Sequence, residues 1–268
     1  MDNVARKKLI REYYSRRYLD YDRQKSRTWK SSQGFGKEVF DELLTALTGL
    51  RHRLVLEVGV GSGRNALPLL DKIKTELIGL DLSKEMLKKA RAKMSPFKDQ
   101  LGLILADGEH LPFIDHAFDA VICMSTMHYF ASQSRILHGF REALRENGKL
   151  VYGDLTVHEE DNRGFFEGLE KTLSKAHAKY YKPSRIKKLI REQGFHILRI
   201  KTIGYQKSYN ALMEDKGRYF AVAPETLNEY IEGATAQARE QYALTQTDMT
   251  LFYTVITAKK ENRKHVIP

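Results

Sequence analysis

The sequence predicts an α/β chain: a doubly wound sheet of seven strands with helices on both faces. Three observations predict it. From residue 54 onward, short apolar runs alternate with stretches of helical periodicity, the pattern of βαβ units with right-handed crossovers. Each run is apolar nearly throughout, as in strands covered on both faces, and does not alternate with polar residues. A glycine-rich turn follows the first run, and acidic residues mark the ends of the first three.

Taken in order, residues 54–60 (LVLEVGV) are the first strand, and 61–74 open as a glycine-rich turn that continues as a helix. Residues 76–82 are the second strand. The amphipathic segment KEMLKKARAKM follows as a helix with Ser83 placed as its cap. Residues 101–107 and 117–127 are strands three and four. RILHGFREALRE is the next helix, closed by Asn147-Gly148, and 149–155 are strand five. Helices are expected near 162–181 and 184–192, then HILRIKTIGY as strand six and DMTLFYTVITAKK as strand seven. Two segments exceed what the sheet needs. One is residues 1–50: a basic, tyrosine-rich helix, a polar stretch at 30–34, and a helix with Val39, Phe40, Leu43 and Leu47 at apolar spacing. The other is a helical insertion at about 205–246, between strands six and seven. The expected organisation is one domain, 1–268: an N-terminal helical lid (1–50), a binding core (51–158), and a C-terminal half (159–268) carrying the insertion.

Composition narrows the class. With 42% hydrophobic residues, 29% charged residues and only 6 prolines in 268, neither disorder nor low complexity fits. A lone cysteine, Cys123, forms no internal disulfide and no cysteine-rich zinc site, so no metal is expected and the cytoplasm is the expected compartment. The N-terminus is charged, without the apolar run of a signal peptide, and no stretch reaches the roughly 18 apolar residues of a membrane span. The net charge of +11 is uneven: 13 Lys/Arg against 7 Asp/Glu in 1–53, 13 against 13 in 54–157, and 19 against 14 in 158–268. A neutral centre with basic flanks reads as a binding core whose surroundings select what approaches. Lys171, Lys175 and Lys179, continued by Lys182, recur at helical spacing, either as a solvated face opposite Phe165, Leu169, Leu173 and Ala176 or as an anion or nucleic-acid surface.

The segment LEVGVGSGRN (56–65) carries the chemistry. Glu57 lies in the strand, and Gly59, Gly61 and Gly63 let the backbone turn tightly and approach a ligand. The dinucleotide fingerprint would need Gly or Ala where Arg64 stands, and no phosphate-cradling Gly-Lys-Ser/Thr follows. The loop therefore suits a nucleoside without a pyrophosphate. Asp81, at the end of strand two, can accept hydrogen bonds from both hydroxyls of a ribose, or can help Ser83 cap the following helix. Asp107, followed by Gly108 and Glu109, can hold an adenine edge, or can form an Asp-Gly turn. Three acids closing successive strands at one edge outline an adenosine site.

In these residues the chain resembles the class I S-adenosylmethionine-dependent methyltransferases, over about residues 50–156. Glu57 to Gly63 is similar to that family's first motif, Asp81 to its ribose-binding acid, and ADGEHLPFIDHAFDAVIC to its third and fourth motifs. Leu111-Pro112-Phe113 and Phe118-Asp119 resemble the branch that includes quinone-ring C-methyltransferases and many small-molecule enzymes. The resemblance implies a Rossmann-like, mostly parallel sheet with an antiparallel last strand. It implies S-adenosyl-L-methionine as cofactor, and Leu82, Met86 and Met124 as further cofactor-binding positions. Tyr18, Tyr21 and Asp22 resemble the N-terminal helix that folds over the cofactor in that branch. It also implies that His128 and Tyr129, in MSTMHYF after strand four, face the acceptor. A base is required only where the acceptor must lose a proton, and His128 is the candidate; a hydrogen-bonded structural histidine is the alternative. Cys123, inside an apolar strand, is expected in the core.

Three function classes compete. A small-molecule methyltransferase is favoured. A macromolecular one draws on the basic flanks, but residues 124–130 lack the Asn/Asp-Pro-Pro-aromatic motif of enzymes that methylate nucleobase amines, so a nucleic-acid partner is the less favoured alternative. A non-catalytic cofactor-binding relative is disfavoured because every cofactor position is intact.

Overall fold

The computed structural model describes residues 2–22, 35–50, 54–73 and 75–261. Two helices, α1 (Asn3–Arg17) and α2 (Phe35–Leu47), precede the sheet. Then follow β1 (Leu54–Val58), α3 (Ala66–Lys72), β2 (Glu76–Asp81), α4 (Lys84–Lys93), β3 (Leu101–Leu105) and β4 (Phe118–Met124). The second half is α5 (Gln133–Ala143), β5 (Leu144–Thr156), α6 (Phe165–Leu173), α7 (Pro183–Glu192) and β6 (Phe195–Ser208). Before β7 (Asp248–Lys260) come three short helices, α8 (Tyr209–Asp215), α9 (Pro224–Glu232) and α10 (Ala236–Gln241). The strand order is β3-β2-β1-β4-β5-β7-β6, parallel from β3 to β5, with β7 antiparallel to both its neighbours. The order reverses between β1 and β4, and the crevice beyond their C-terminal ends is where ligands bind in such sheets.

Two apolar layers sandwich the sheet. On one face Leu43 and Leu47 of α2, Leu69 of α3 and Leu87 of α4 pack with Val55, Leu77, Ile122 and Val151. On the other, Ile136, Leu137 and Phe140 of α5 and Ile186, Leu189 and Ile190 of α7 pack with Leu56, Val121 and Tyr152. Coverage from both sides explains why every residue of β4 is buried, Cys123 included. A third cluster joins Phe166, Leu169 and Leu173 of α6 to Leu212, Leu227 and Tyr242 of the insertion. The insertion thus has an apolar core of its own making with α6.

Three boundaries differ from the sequence expectation for tertiary reasons. The helix expected at 162–181 stops at Leu173: Ser174 is extended, and the amides of Ala178 and Lys179 donate to the His128 carbonyl. Lys175, Lys179 and Lys182 therefore leave the helix that carries Lys171, and the proposed lysine stripe does not form. The helix before strand five ends at Ala143, so Asn147-Gly148 falls within the span of β5, with Asn147 at φ 64°. β6 runs to Ser208 because it pairs with β7 along its whole length. Trp29 and the polar stretch 30–34 lie outside the described residues. No helix among those described is long and apolar enough to cross a membrane.

Candidate active site

The loop after β1 is built by backbone conformation. The amides of Gly59 and Val60 donate to the Leu80 carbonyl at 2.8 and 3.1 Å, tying the loop to β2. Gly59 has φ +78°, and a Cβ there would lie 2.2 Å from Thr126 Oγ1, so only glycine fits. Gly61, at φ +55°, differs: a Cβ would meet no protein atom within 4 Å, so the bare backbone borders open cavity. Asp81 Oδ2 accepts from the Gly61 amide and Oδ1 from the Ser83 amide, both at 2.8 Å. Ser83 itself caps α4 by accepting from the Met86 amide, so the cap does not depend on Asp81. Burial pushes the Asp81 carboxyl up despite those amide bonds.

These residues line a cavity of about 850 Å³, the open space at its mouth included. Of the residues singled out from the sequence, Gly59, Gly61, Asp81, Leu82, Asp107, Gly108, Met124, Tyr21 and Tyr129 line it. Lys7, Arg64, Asn65, Thr126 and Phe130 line it too and were not anticipated. Glu57, Gly63, Met86 and Glu109 are not on its wall. Gly63 packs on Met94 and Met86 is buried in α4. Glu57 is buried behind the loop: Asn65 Nδ2 donates to its Oε1 at 3.0 Å, its Oε2 has no partner, and burial pushes its carboxyl up to about 7. Glu109 accepts from the Ala131 amide and Asn3, and pairs with Lys7 of α1. Burial would raise its carboxyl, but the bonds from Lys7, Asn3 and Ala131 hold it down to about 2. Lys7 also bonds Asp107 Oδ2, so α1 is fastened to both acids after β3. The chain beyond α1 is fastened as well: Asp22 accepts from Ser62 Oγ at 2.6 Å and pairs with Lys89 and Lys93, while the Tyr18 carbonyl accepts from Lys89.

A second cavity, of about 920 Å³, adjoins the first. The two share Tyr14, Tyr21, Arg64, Asn65, Met124, Ser125 and Tyr129 as a common wall. His128 lies on the second cavity, buried, in the single 3₁₀ turn Met127–Tyr129 that follows β4. Its Nδ1 is 2.9 and 3.0 Å from the two oxygens of Asp154, and its backbone amide donates to Asp154 Oδ2. A carboxylate only accepts, so Nδ1 carries the ring proton and Nε2 presents a lone pair. Burial lowers the His128 pKa more than Asp154 raises it, so the ring is neutral near pH 7. Tyr14 Oη donates to Tyr129 Oη at 3.2 Å, and burial pushes both phenols up, which keeps Tyr129 a hydrogen-bond donor and not a base. Asp154, Glu170, Asp215, Lys207, Lys216 and Arg17 complete the polar wall. Asp154 was legible in principle, since it closes strand five at the edge where Asp81 and Asp107 close theirs. The remainder carried no local signal.

Residues 55–148 match the family model for the methyltransferase domain. Among curated relatives, a malonyl-[acyl-carrier protein] O-methyltransferase of Geobacter sulfurreducens is 29% identical over 159 residues, 57% of this chain and 56% of the relative. The chain spans 45–63% of the length of the first curated relatives it matches. The YcgJ protein of Bacillus subtilis superposes with a TM-score of 0.75 at 19% identity, covering 84% of this chain and 99% of that one. A Haemonchus contortus phosphoethanolamine N-methyltransferase 2 in complex with S-adenosyl-L-methionine gives 0.59 at 17% identity, covering 84% and 53%. Residues 55–148 are thus similar to methyltransferase domains, and the chain shares their fold. The residues on the first cavity fit S-adenosylmethionine: Asp81 would hold the ribose and Asp107 and Gly108 the adenine edge, with open space over Gly61.

Proposed function

We propose that the chain is an S-adenosylmethionine-dependent methyltransferase acting on a small molecule that must lose a proton as it is methylated. The observation that carries this reading is the His128–Asp154 pair, buried on a cavity that shares a wall with the cofactor cavity. When bound, S-adenosylmethionine supplies an electrophilic methyl group on a sulfonium, so the protein needs no nucleophile of its own. Its own residues position the acceptor, exclude water and receive the proton at His128 Nε2. Asp154 fixes the tautomer that leaves Nε2 free. The name of the Geobacter relative specifies an oxygen acceptor. The branch suggested by Leu111-Pro112-Phe113, with electron-rich ring acceptors, belongs to the same reading.

The described part of the N-terminal segment, α1 above all, and the insertion at about 205–246 act as the lid of this site. α1 and the insertion interlock over the second cavity: Tyr13 Oη donates to the Asp215 carbonyl at 2.8 Å, Arg17 pairs with Asp215 at 2.7 Å, and Tyr13 stacks on Phe220. Admission of an acceptor requires these contacts to open. The test is methyl transfer from radiolabelled cofactor into fractionated metabolite extract and into RNA. Label is expected in the small-molecule fraction, with His128→Ala reducing the rate by roughly 10²- to 10⁴-fold. Incorporation into RNA alone, or an undiminished rate in the variant, overturns the reading.

A further inference from the structure

Glu170, a residue of the acceptor cavity's wall, carries a buried polar atom that makes no hydrogen bond. Glu170, on α6, is 1% exposed; its Oε2 receives Lys216 Nζ, while Oε1 makes no hydrogen bond. Burial would raise this carboxyl, but Lys216 and the nearby His177 hold it below its ordinary value, so it is ionised. An ionised oxygen left unpaired in a buried site is costly. The other carboxylates on this wall have both oxygens engaged. Asp154 serves His128 and the Leu155 amide, and Asp215 serves Arg17 through Oδ1 and Lys207 through Oδ2. Among the described residues, Glu170 Oε1 is therefore the carboxylate oxygen on this wall left for a donor that arrives with the acceptor.

The surroundings say what kind of donor. Arg17, Arg64, Lys207 and Lys216 line the cavity against Asp154, Glu170 and Asp215, so a cationic group would enter a wall already rich in positive charge. A neutral hydroxyl does not meet that repulsion. The flanking rings are tyrosines: Tyr180 lies 4.8 Å from His128, ring to ring, with Lys216 above its face and Phe166 stacked on it. Glu170 and His128 line the same cavity, and Lys216, which pairs with Glu170, lies 5.8 Å from the Tyr180 ring that packs 4.8 Å from His128.

Building on the reading given above, we propose that Glu170 is a specificity-determining residue that accepts a hydrogen bond from a second hydroxyl of the acceptor. The acceptor class is then a neutral ring with at least two hydroxyls, one presented to His128 and another held by Glu170. The test is calorimetry with 1,2-, 1,3- and 1,4-dihydroxybenzene and with phenol, in the presence of S-adenosylhomocysteine, on the wild type, Glu170→Gln and, as a control at an exposed position of the same helix, Lys171→Met. The wild type is expected to bind at least one of the diols about tenfold or more tighter than phenol, the scale of one hydrogen bond to a charged group. Glu170→Gln should lose that preference, because its amide puts a donor where the acceptor oxygen stood, and Lys171→Met should keep it. In methyl transfer, the KM for the diol should rise in Glu170→Gln more than kcat falls. An equal preference in wild type and Glu170→Gln, loss of preference in Lys171→Met as well, or no discrimination between diols and phenol by the wild type overturns the assignment. The wild-type comparison decides even where the Gln variant fails to fold. Failure of the proposed function looks different: the wild type would then transfer no label to any small molecule, or His128→Ala would leave the rate unchanged.

Discussion

Replacing Asp154 with asparagine isolates the contribution of the carboxylate to the base. The Leu155 amide donates to Oδ1 at 2.9 Å, the His128 amide donates to Oδ2 at 3.1 Å, and His128 Nδ1 lies 2.9 and 3.0 Å from the two. An amide has a single acceptor oxygen, so in either orientation its NH2 group faces a backbone N–H. One hydrogen bond to a charged group is lost, a destabilisation of about 1.5–3 kcal/mol, which thermal unfolding reads directly. The asparagine NH2 can also donate to Nδ1, which moves the ring proton to Nε2 and removes the lone pair that faces the acceptor. The expected loss in kcat is roughly 10²- to 10⁴-fold, the usual contribution of a general base. The pH profile provides the independent readout. Burial lowers the His128 pKa and Asp154 opposes that shift, so without the charge the pKa falls further. The base works deprotonated, so the acid limb of kcat in the variant moves to lower pH. A kcat within about threefold of wild type, with the limb unmoved, would refute the assignment of His128 as the base.

Further outcomes follow from the same geometry. Gly59→Ala should destabilise the fold by about 1–3 kcal/mol in thermal unfolding, because its Cβ would strike Thr126 at a left-handed φ. Gly61→Ala should cost about 1 kcal/mol in stability yet weaken S-adenosylhomocysteine binding in calorimetry, since its Cβ projects into the cavity. Glu57 has a carboxyl raised from 4.5 to about 7, so its contribution to apo-protein stability is complete below pH 4.5 and is lost as pH rises through about 7. Glu57→Gln should remove that slope, worth up to about 3 kcal/mol, in melts compared at pH 5 and pH 8. Asp81→Ala should weaken S-adenosylhomocysteine by about 1.5–3 kcal/mol with α4 still capped by Ser83, and wild type should show no tighter binding of NAD in the same calorimeter. Deuterium exchange should be earliest in α1 and the insertion and should slow there on cofactor binding; protection equal to that of β4 without cofactor would make them fixed packing elements.

The sequence by itself determined what depends on neighbours along the chain. The order of strands and helices was legible because apolar periodicity is local, and DMTLFYTVITAKK delimits β7 at Asp248 and Lys260. The glycine loop was legible because a left-handed φ demands glycine, and Asp81 and Asp107 because successive parallel strands end at one edge. Only the tertiary structure decided what depends on distant partners. Insertion of β7 between β5 and β6 is set by pairing that no local pattern encodes. The helix ending at Leu173 stops short because the next segment spends its amides on His128, 50 residues earlier by number than Ala178. Lys7 reaches Asp107 across 100 residues, and Arg17 reaches Asp215 across 198. Each of these side chains reads in sequence as an ordinary surface charge, and each becomes part of a site because burial raises the cost of an unpaired charge until only a partner across the cavity can meet it.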